Sequence, residues 1–282
     1  MNYRIRIFSN FCDSKQCKEV YERLCQTHLI KNYGEYKQVY ITNDDNYTHA
    51  IIMNTDMPNL TIPKENVIGF AFEPPQFLRL TGTFIEYAQK HIGKYFLGEK
   101  FNLPSPFTEH YSYMWHNPPL TIKPIKKNIM SIVISTKMSA PGHIYRHEIV
   151  KRILESTLPI DIYGNGCSLY KNDIRIKGGF NELEPYESYD FHICIENFQT
   201  KEYMSEKIVN ALLCGSTPIY LGALNVDNFF PDNVIKLRNK IDTDMKLITR
   251  ICNNPGEYRK NIDVDLVKDK INIIKQFPYM LS

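Results

Sequence analysis

Tyr189–Gly222 reads YDFHICIENFQTKEYMSEKIVNALLCGSTPIYLG, and its pattern decides the fold. Phe191–Ile195 is short, β-branched and aromatic, which predicts a strand. Glu196–Met204 is a polar loop, the usual place for working side chains. Ser205 can cap a helix whose apolar positions Ile208, Val209, Ala211, Leu212 and Leu213 form one face. Gly215 stops that helix, and Thr217–Leu221 predicts the next strand. A β-loop-α-β unit of this kind joins two parallel strands through a right-handed crossover.

The charges in the unit point to chemistry. Lys207 falls in the first helical turn, where the helix dipole is already positive and a cation is mildly destabilising. The placement makes sense if an anion shares the site, because helix N-termini bind phosphate. Glu206 beside it can accept hydrogen bonds from ribose hydroxyls. The ordinary alternative is a pair of surface charges at a helix start.

The run from Glu196 to Gly222 resembles the donor-binding motif of the α-1,3-fucosyltransferases, glycosyltransferase family ten. That motif runs approximately F-E-N-S/T, a short spacer, D/G-Y-V/I-T-E-K, an apolar helix, then small residues and P before a strand ending in G. Glu196, Asn197, Tyr203, Glu206, Lys207, Pro218 and Gly222 fall in register, with Ile195, Phe198 and Ser205 in place of the Phe, the Ser/Thr and the Thr. The resemblance implies an α/β fold of two Rossmann-like domains facing a cleft, the GT-B arrangement.

Composition is that of an ordinary globular protein. The 282 residues hold two modest domains, and 43% hydrophobic with 23% charged residues is ordinary for such a protein. A formal charge of +3 without a Lys/Arg run gives no reason to expect nucleic acid. Seven cysteines at irregular spacing read as mostly free thiols in a reducing compartment. Cys12 and Cys17 lack a matching second pair, so zinc is not expected, and Cys194 and Cys214 read as small core residues. No apolar run reaches the ~18–20 residues that span a bilayer. The start, MNYRIRIFSN, reads as a strand rather than a signal peptide. The expected location is therefore the cytoplasm, of a bacterium or of a virus-infected cell.

Outward from the central unit, strands are predicted at Tyr3–Phe8, Gln38–Thr42, Ala50–Met53, Val67–Phe72, Asn128–Ser135, Leu158–Tyr163 and Val234–Leu237. Helices are predicted at Lys15–Leu29, Phe77–Ile92, Asp244–Cys252 and Leu266–Phe277, and Pro141–Leu154 reads as a loop leading into a helix. The alternation predicts α/β domains. Asn102–Pro124 is rich in Pro and aromatic residues and reads as a linker. Its Tyr111, Tyr113 and Trp115 could stack on a sugar or base, or pack against a domain face. The expected domains are 1–124 on the acceptor side and 125–282 for the nucleotide-sugar donor.

Glu73 follows a predicted strand, where open α/β sheets place ligand sites. Phe72–Glu73–Pro74–Pro75 resembles the family's F-E-S-P-like segment, which implies that Glu73 is the general base. Ser139–Leu154 resembles the helix carrying the family's phosphate-binding Arg, which implies Arg146, with Arg152 the local rival. Asp161–Gly164 resembles the family's strand end beside the nucleotide, which brings in Tyr163 and Gly164. With Glu196, Asn197, Tyr203 and Glu206 these form the expected donor site, and Glu73, Arg146 and Lys207 the expected catalytic set. His143 and His147 lie four apart without a third ligand, and no D-x-D stands in a metal-binding context. No metal site is expected; a divalent ion is compatible but not indicated, and no cofactor beyond the donor is required. The resemblance implies an inverting transferase moving L-fucose from GDP-fucose to a hydroxyl of a glycan acceptor. Two alternatives stay open: another nucleotide-sugar donor, and a degenerate transferase that binds glycans without turnover.

Overall fold

The computed structural model describes residues 2–34, 39–111 and 114–282; Gln38 and Tyr113, both named above, lie outside them. The chain divides into two compact units. The first comprises Met1–Pro119, Thr200–Tyr203 and Lys268–Ser282, and the second Leu120–Gln199 and Met204–Val267.

The first unit holds β1 (Tyr3–Ser9), α1 (Ser14–Leu24), β2 (Val39–Thr42), β3 (His49–Met53), β4 (Val67–Phe70), α2 (Pro75–Leu78), α3 (Gly82–His91), β5 (Lys94–Leu97) and β6 (Phe107–Glu109). Its strands form one sheet in the order β2-β1-β3-β4-β5-β6, with every recorded pairing parallel. A parallel sheet needs cover on both faces, and β3 shows it. Ile51 and Met53 join a core with Ile5, Tyr21 and Ile41. Ala50 and Ile52 point the other way, into a core with Phe84, Ala88 and Tyr95.

The second unit holds β7 (Asn128–Val133), α4 (Pro141–Leu154), β8 (Ile160–Tyr163), β9 (Ile176–Gly178), β10 (Tyr189–Ile195), α5 (Glu206–Leu213), β11 (Thr217–Leu221), β12 (Ile235–Lys236), α6 (Ile241–Asn253) and α7 (Pro255–Tyr258). Its sheet runs β12-β11-β10-β7-β8-β9 and is again parallel. The unit centred on β10 and β11 forms as the sequence predicts, with Phe191 opposite Thr217 and Ile195 opposite Leu221. Ser205 is the N-cap of α5, and Gly215 turns the chain out of the helix at φ +66°.

The differences from the sequence reading have local causes. The helix expected over Phe77–Ile92 is two, because Arg79 takes φ +54° and Thr81 caps a new start by accepting from the Phe84 amide at 3.2 Å. The helix expected over Lys15–Leu29 stops at Leu24, with Gln26 at φ +49°. Phe107–Glu109, read as part of a linker, is an edge strand paired to β5. The terminal helix is also two, α8 (Val264–Ile271) and α9 (Ile273–Leu281), broken where Asn272 accepts from the amides of Ile274 and Lys275. The reading assigned 125–282 to one domain, yet Lys268–Ser282 groups with the first unit. The reason is apolar: Ile273, Ile274, Phe277 and Met280 bury in the core that contains Ile5 and Tyr21.

Buried His192 ties β10 to β7 through its Nδ1, 2.8 Å from Ser131 Oγ. The serine hydroxyl proton goes to the Pro185 carbonyl, so Nδ1 is the donor. Burial pushes the His192 pKa down to about 3. The native state therefore refuses a proton that the unfolded chain takes below its ordinary histidine pKa of ~6.5. The stability is fully present above that value and is lost as the pH falls toward about 3. Chemical denaturation at pH 7 and pH 5 should show wild type losing about 2 kcal/mol more than His192→Asn; equal losses would contradict this role.

Candidate active site

The site is built around the end of β10. Glu196 continues the strand ladder, its amide donating to the Leu221 carbonyl at 2.8 Å, and its side chain turns fully inward. Oε1 accepts from the Ser205 amide at 2.8 Å and Oε2 from the Ser205 hydroxyl at 2.6 Å. A buried carboxylate is costly unless ion-paired and hydrogen-bonded. Lys207 supplies the charge, its Nζ 3.5 Å from Glu196 Oε2. The same Nζ donates to Ser205 Oγ at 2.9 Å and to Glu206 Oε1 at 3.1 Å. Ser205 Oγ thus gives its proton to Glu196 and accepts from the Lys207 ammonium. It also accepts from the Lys207 amide at 3.4 Å, which caps α5.

The electrostatics follow from this arrangement. Burial alone would lower the Lys207 pKa, but Glu206 and Glu196 outweigh it, so the group is held above its ordinary value and stays charged. Burial opposes ionisation of Glu206, and Lys207 overcomes it, leaving the carboxyl below its ordinary value. Glu206 keeps 43% of its side chain exposed whereas Glu196 keeps none, so the outer carboxylate can change partners and the inner one cannot.

Helix α4 adds the second cation. Arg146 is buried, its Nε donating to the Gly142 carbonyl at 3.1 Å and its Nη2 to Asn197 Oδ1 at 2.8 Å. Gly142 also donates its amide to the Asn197 carbonyl at 3.0 Å. A Cβ at Gly142 would collide with the Glu196 carbonyl, and one at Gly222 would lie 2.5 Å from Glu196 Cγ. The starts of α4 and α5 therefore both touch the Glu196–Asn197 turn, which brings two positive helix ends and two cations together. His143 registers this field. Its pKa is pushed down to about 4, first by burial, then by Arg146, Lys137 and Lys207.

The structure brings together Arg146, Glu196, Asn197, Glu206 and Lys207 from the expected set. Tyr163 and Gly164 are engaged elsewhere. The Tyr163 hydroxyl bonds to that of Tyr189 at 2.7 Å, which in turn bonds Asp161 at 2.7 Å. Gly164 adopts φ +100° where a Cβ would meet the Ile134 carbonyl. Tyr203 is buried and groups with the first unit, its Cβ 3.3 Å from where a Cβ at Gly98 would lie. Glu73 is exposed, just after β4 in the first unit. Arg152, the rival to Arg146, lies on the surface 3.4 Å from Asp242. His147 has internal partners, Tyr170 Oη at 2.6 Å and the Ser135 carbonyl at 2.7 Å.

Three members of the site carried no functional assignment from sequence. Ser205 was legible only as a cap. His143 gave no signal beyond its spacing from His147. Gly142 had a signal in its position: a glycine in a first helical turn costs stability and often marks a close backbone approach. Among the described residues no group of three His, Cys, Asp or Glu is placed to hold a metal ion. What the arrangement can do is bind a polyanion with fixed donors and oppose negative charge that builds on it.

Residues 123–260 match the family model of glycosyltransferase family 10 (fucosyltransferase), C-terminal part. The chain is 26% identical over 166 residues to human 4-galactosyl-N-acetylglucosaminide 3-alpha-L-fucosyltransferase 9, covering 53% of this chain and 42% of that protein. It is 36% identical over 73 residues to an Arabidopsis thaliana alpha-(1,4)-fucosyltransferase, covering 25% of this chain and 18% of that one. The chain thus spans less than half the length of the curated relatives it matches here. Among solved structures, an α1,3-fucosyltransferase with GDP-fucose superposes with a TM-score of 0.56 at 15% identity, covering 100% of this chain and 91% of that one. An α-glucosyltransferase in complex with UDP and DNA gives a TM-score of 0.56 at 10% identity, covering 98% and 95%. The two parallel six-stranded sheets with their helices are a GT-B-like glycosyltransferase fold. No helix among the described residues is long and apolar enough to cross a membrane.

If Glu196 holds the site together, its loss leaves Lys207 without its inner partner and the Ser205 amide and hydroxyl unpaired. Glu196→Ala should therefore destabilise the protein by about 3–5 kcal/mol in urea denaturation. A loss under about 1 kcal/mol would mean the carboxylate is incidental.

Proposed function

From the match of residues 123–260 to the family model of glycosyltransferase family 10, we propose that this chain is a member of that family and transfers L-fucose from GDP-fucose to a hydroxyl of a glycan acceptor with inversion at C1. The observation that carries the reading is the cation pair at the Glu196–Asn197 turn: Arg146 on α4, hydrogen-bonded to Asn197, and Lys207 on α5, ion-paired with Glu196.

In this reading the diphosphate of the donor lies against Arg146 and Lys207. It replaces Glu206 at the Lys207 ammonium, since Glu206 is the exposed partner and Glu196 the buried one. Glu206, released, accepts from the ribose hydroxyls. Asn197 stays on Arg146 and keeps the guanidinium aimed. The acceptor oxygen attacks C1 on the face opposite the diphosphate, the C1–O bond breaks, and its electron pair leaves with GDP. Glu73 takes the proton of the acceptor hydroxyl, a service worth about 10²–10⁴-fold in rate. Arg146 and Lys207 stabilise the charge that grows on the departing diphosphate, where pre-placed donors act most strongly.

Acceptor choice follows the relatives: the human protein named above is a transferase to 4-galactosyl-N-acetylglucosaminides, so N-acetyllactosamine is the acceptor we assign for testing. All seven cysteines are free thiols, which supports a reducing compartment, hence the cytoplasm, as the place of action.

One charged hydrogen bond to phosphate is worth about 1.5–3 kcal/mol. Lys207→Ala should therefore lower kcat/KM for fucosyl transfer by about 10–100-fold, measured with GDP-fucose and N-acetyllactosamine on protein whose circular dichroism matches wild type. Wild-type turnover in that variant would exclude Lys207 from the mechanism.

A further inference from the structure

The first unit carries an aromatic cluster that the reaction as described does not use. Phe11 follows β1, Phe72 follows β4, and Trp115 comes from the segment after β6. The Phe11 ring is 5.3 Å from Trp115, edge-on, and 5.9 Å from Phe72, while Phe72 and Trp115 are 6.5 Å apart. Phe72 and Trp115 rest partly on the core beneath. Phe11 remains 46% exposed. Single exposed aromatics are common and need no explanation. This one is seated on two others, at the carboxyl edge of a parallel sheet, where open α/β folds place ligands.

The cluster is held in place. Asn54, at the end of β3, accepts from the Phe72 amide at 2.8 Å and donates its own amide to the Phe70 carbonyl at 2.7 Å. The turn after Phe11 is closed by a capping box between Asp13 and Gln16. Cys12 and Cys17 occupy the positions of a hydrophobic staple, and their thiols are hydrogen-bonded to each other across the turn. The next residue after Phe72 is the exposed Glu73.

An exposed aromatic ring seated on the residue that precedes an exposed glutamate suits a pyranose ring. The C–H face of a sugar is apolar and packs flat on an aromatic ring, while its rim of hydroxyls needs polar partners. We propose that Phe11, with Phe72 and Trp115 behind it, is the platform for the acceptor sugar and presents one of its hydroxyls to Glu73. The inference rests on the fucosyltransferase reading for the role of Glu73, but the binding of sugar to the platform can be read without turnover. Trp115 is the only tryptophan of the chain, so its emission reports on the cluster directly.

The test is a titration of Trp115 fluorescence with N-acetyllactosamine, on wild type, Phe11→Ala and Phe11→Tyr, together with transfer kinetics. The expected result is a saturable change in wild type, an affinity about tenfold weaker in Phe11→Ala, and near-wild-type affinity in Phe11→Tyr. The acceptor KM should rise about tenfold in Phe11→Ala, with the GDP-fucose KM and the melting temperature unchanged. Saturable emission in wild type that weakens in Phe11→Ala, without fucosyl transfer, would uphold the platform and overturn the donor reading. An active wild type whose Phe11→Ala variant keeps its acceptor KM would overturn the platform alone. A wild type that neither transfers nor changes its emission would overturn both.

Discussion

The buried carboxylate of Glu196 is the constraint on which the second unit's site depends. A carboxylate with no solvent contact must have charge and hydrogen bonds supplied by the protein. Ser205 and Lys207 supply them, and in doing so fix the first turn of α5 against the end of β10. The same turn leaves no room for a side chain at Gly142 or Gly222, so α4 and β11 close on it from two sides. Arg146 is then anchored by what that contact creates, the Gly142 carbonyl and the Asn197 amide oxygen. A side chain read from sequence as a donor contact is, in the structure, the inner support of the donors.

The electrostatic consequence is an ammonium compensated on both sides, by buried Glu196 within and by half-exposed Glu206 without. Lys207 stays charged because two carboxylates outweigh its burial. His143, beside the same cations, is held neutral. The two carboxylates differ in exposure, and in the proposed reaction that asymmetry lets Glu206 yield to the donor while Glu196 keeps the ammonium aimed. Fixed donors of this kind need no reorganisation when negative charge develops, which is the condition for stabilising a departing phosphate.

Much of this was legible in the chain. The β10–α5–β11 unit has strong punctuation: a β-branched run, a serine cap, an apolar helix face and a glycine stop. The cation at the start of α5 was legible as an anomaly, but the two carboxylates that the structure sets against it, Glu196 and Glu206, were not legible as its partners. Arg146 was separable from Arg152 by its depth in the helix. Other features depend on tertiary packing and left no local trace. Lys94–Leu97 and Ile176–Gly178 are too short to show a period, and they exist as strands because a neighbour pairs with them. The tail helix α9 has an apolar face that would suit either core, and only packing beside Ile5 and Tyr21 assigns it. The Tyr163 hydroxyl, expected near the nucleotide, bonds that of Tyr189, a pairing between strands that no local pattern shows. Glu196 could not be read as buried, because a polar loop after a strand gives no sign of which carboxylate turns inward.

Calorimetric titration of the full chain with GDP and with UDP, repeated on Arg146→Ala and Lys207→Ala, tests the central claim most directly. The account predicts that GDP binds in preference to UDP and that either substitution weakens it by about tenfold or more. GDP binding that is unchanged in both variants, or a preference for UDP, would contradict it.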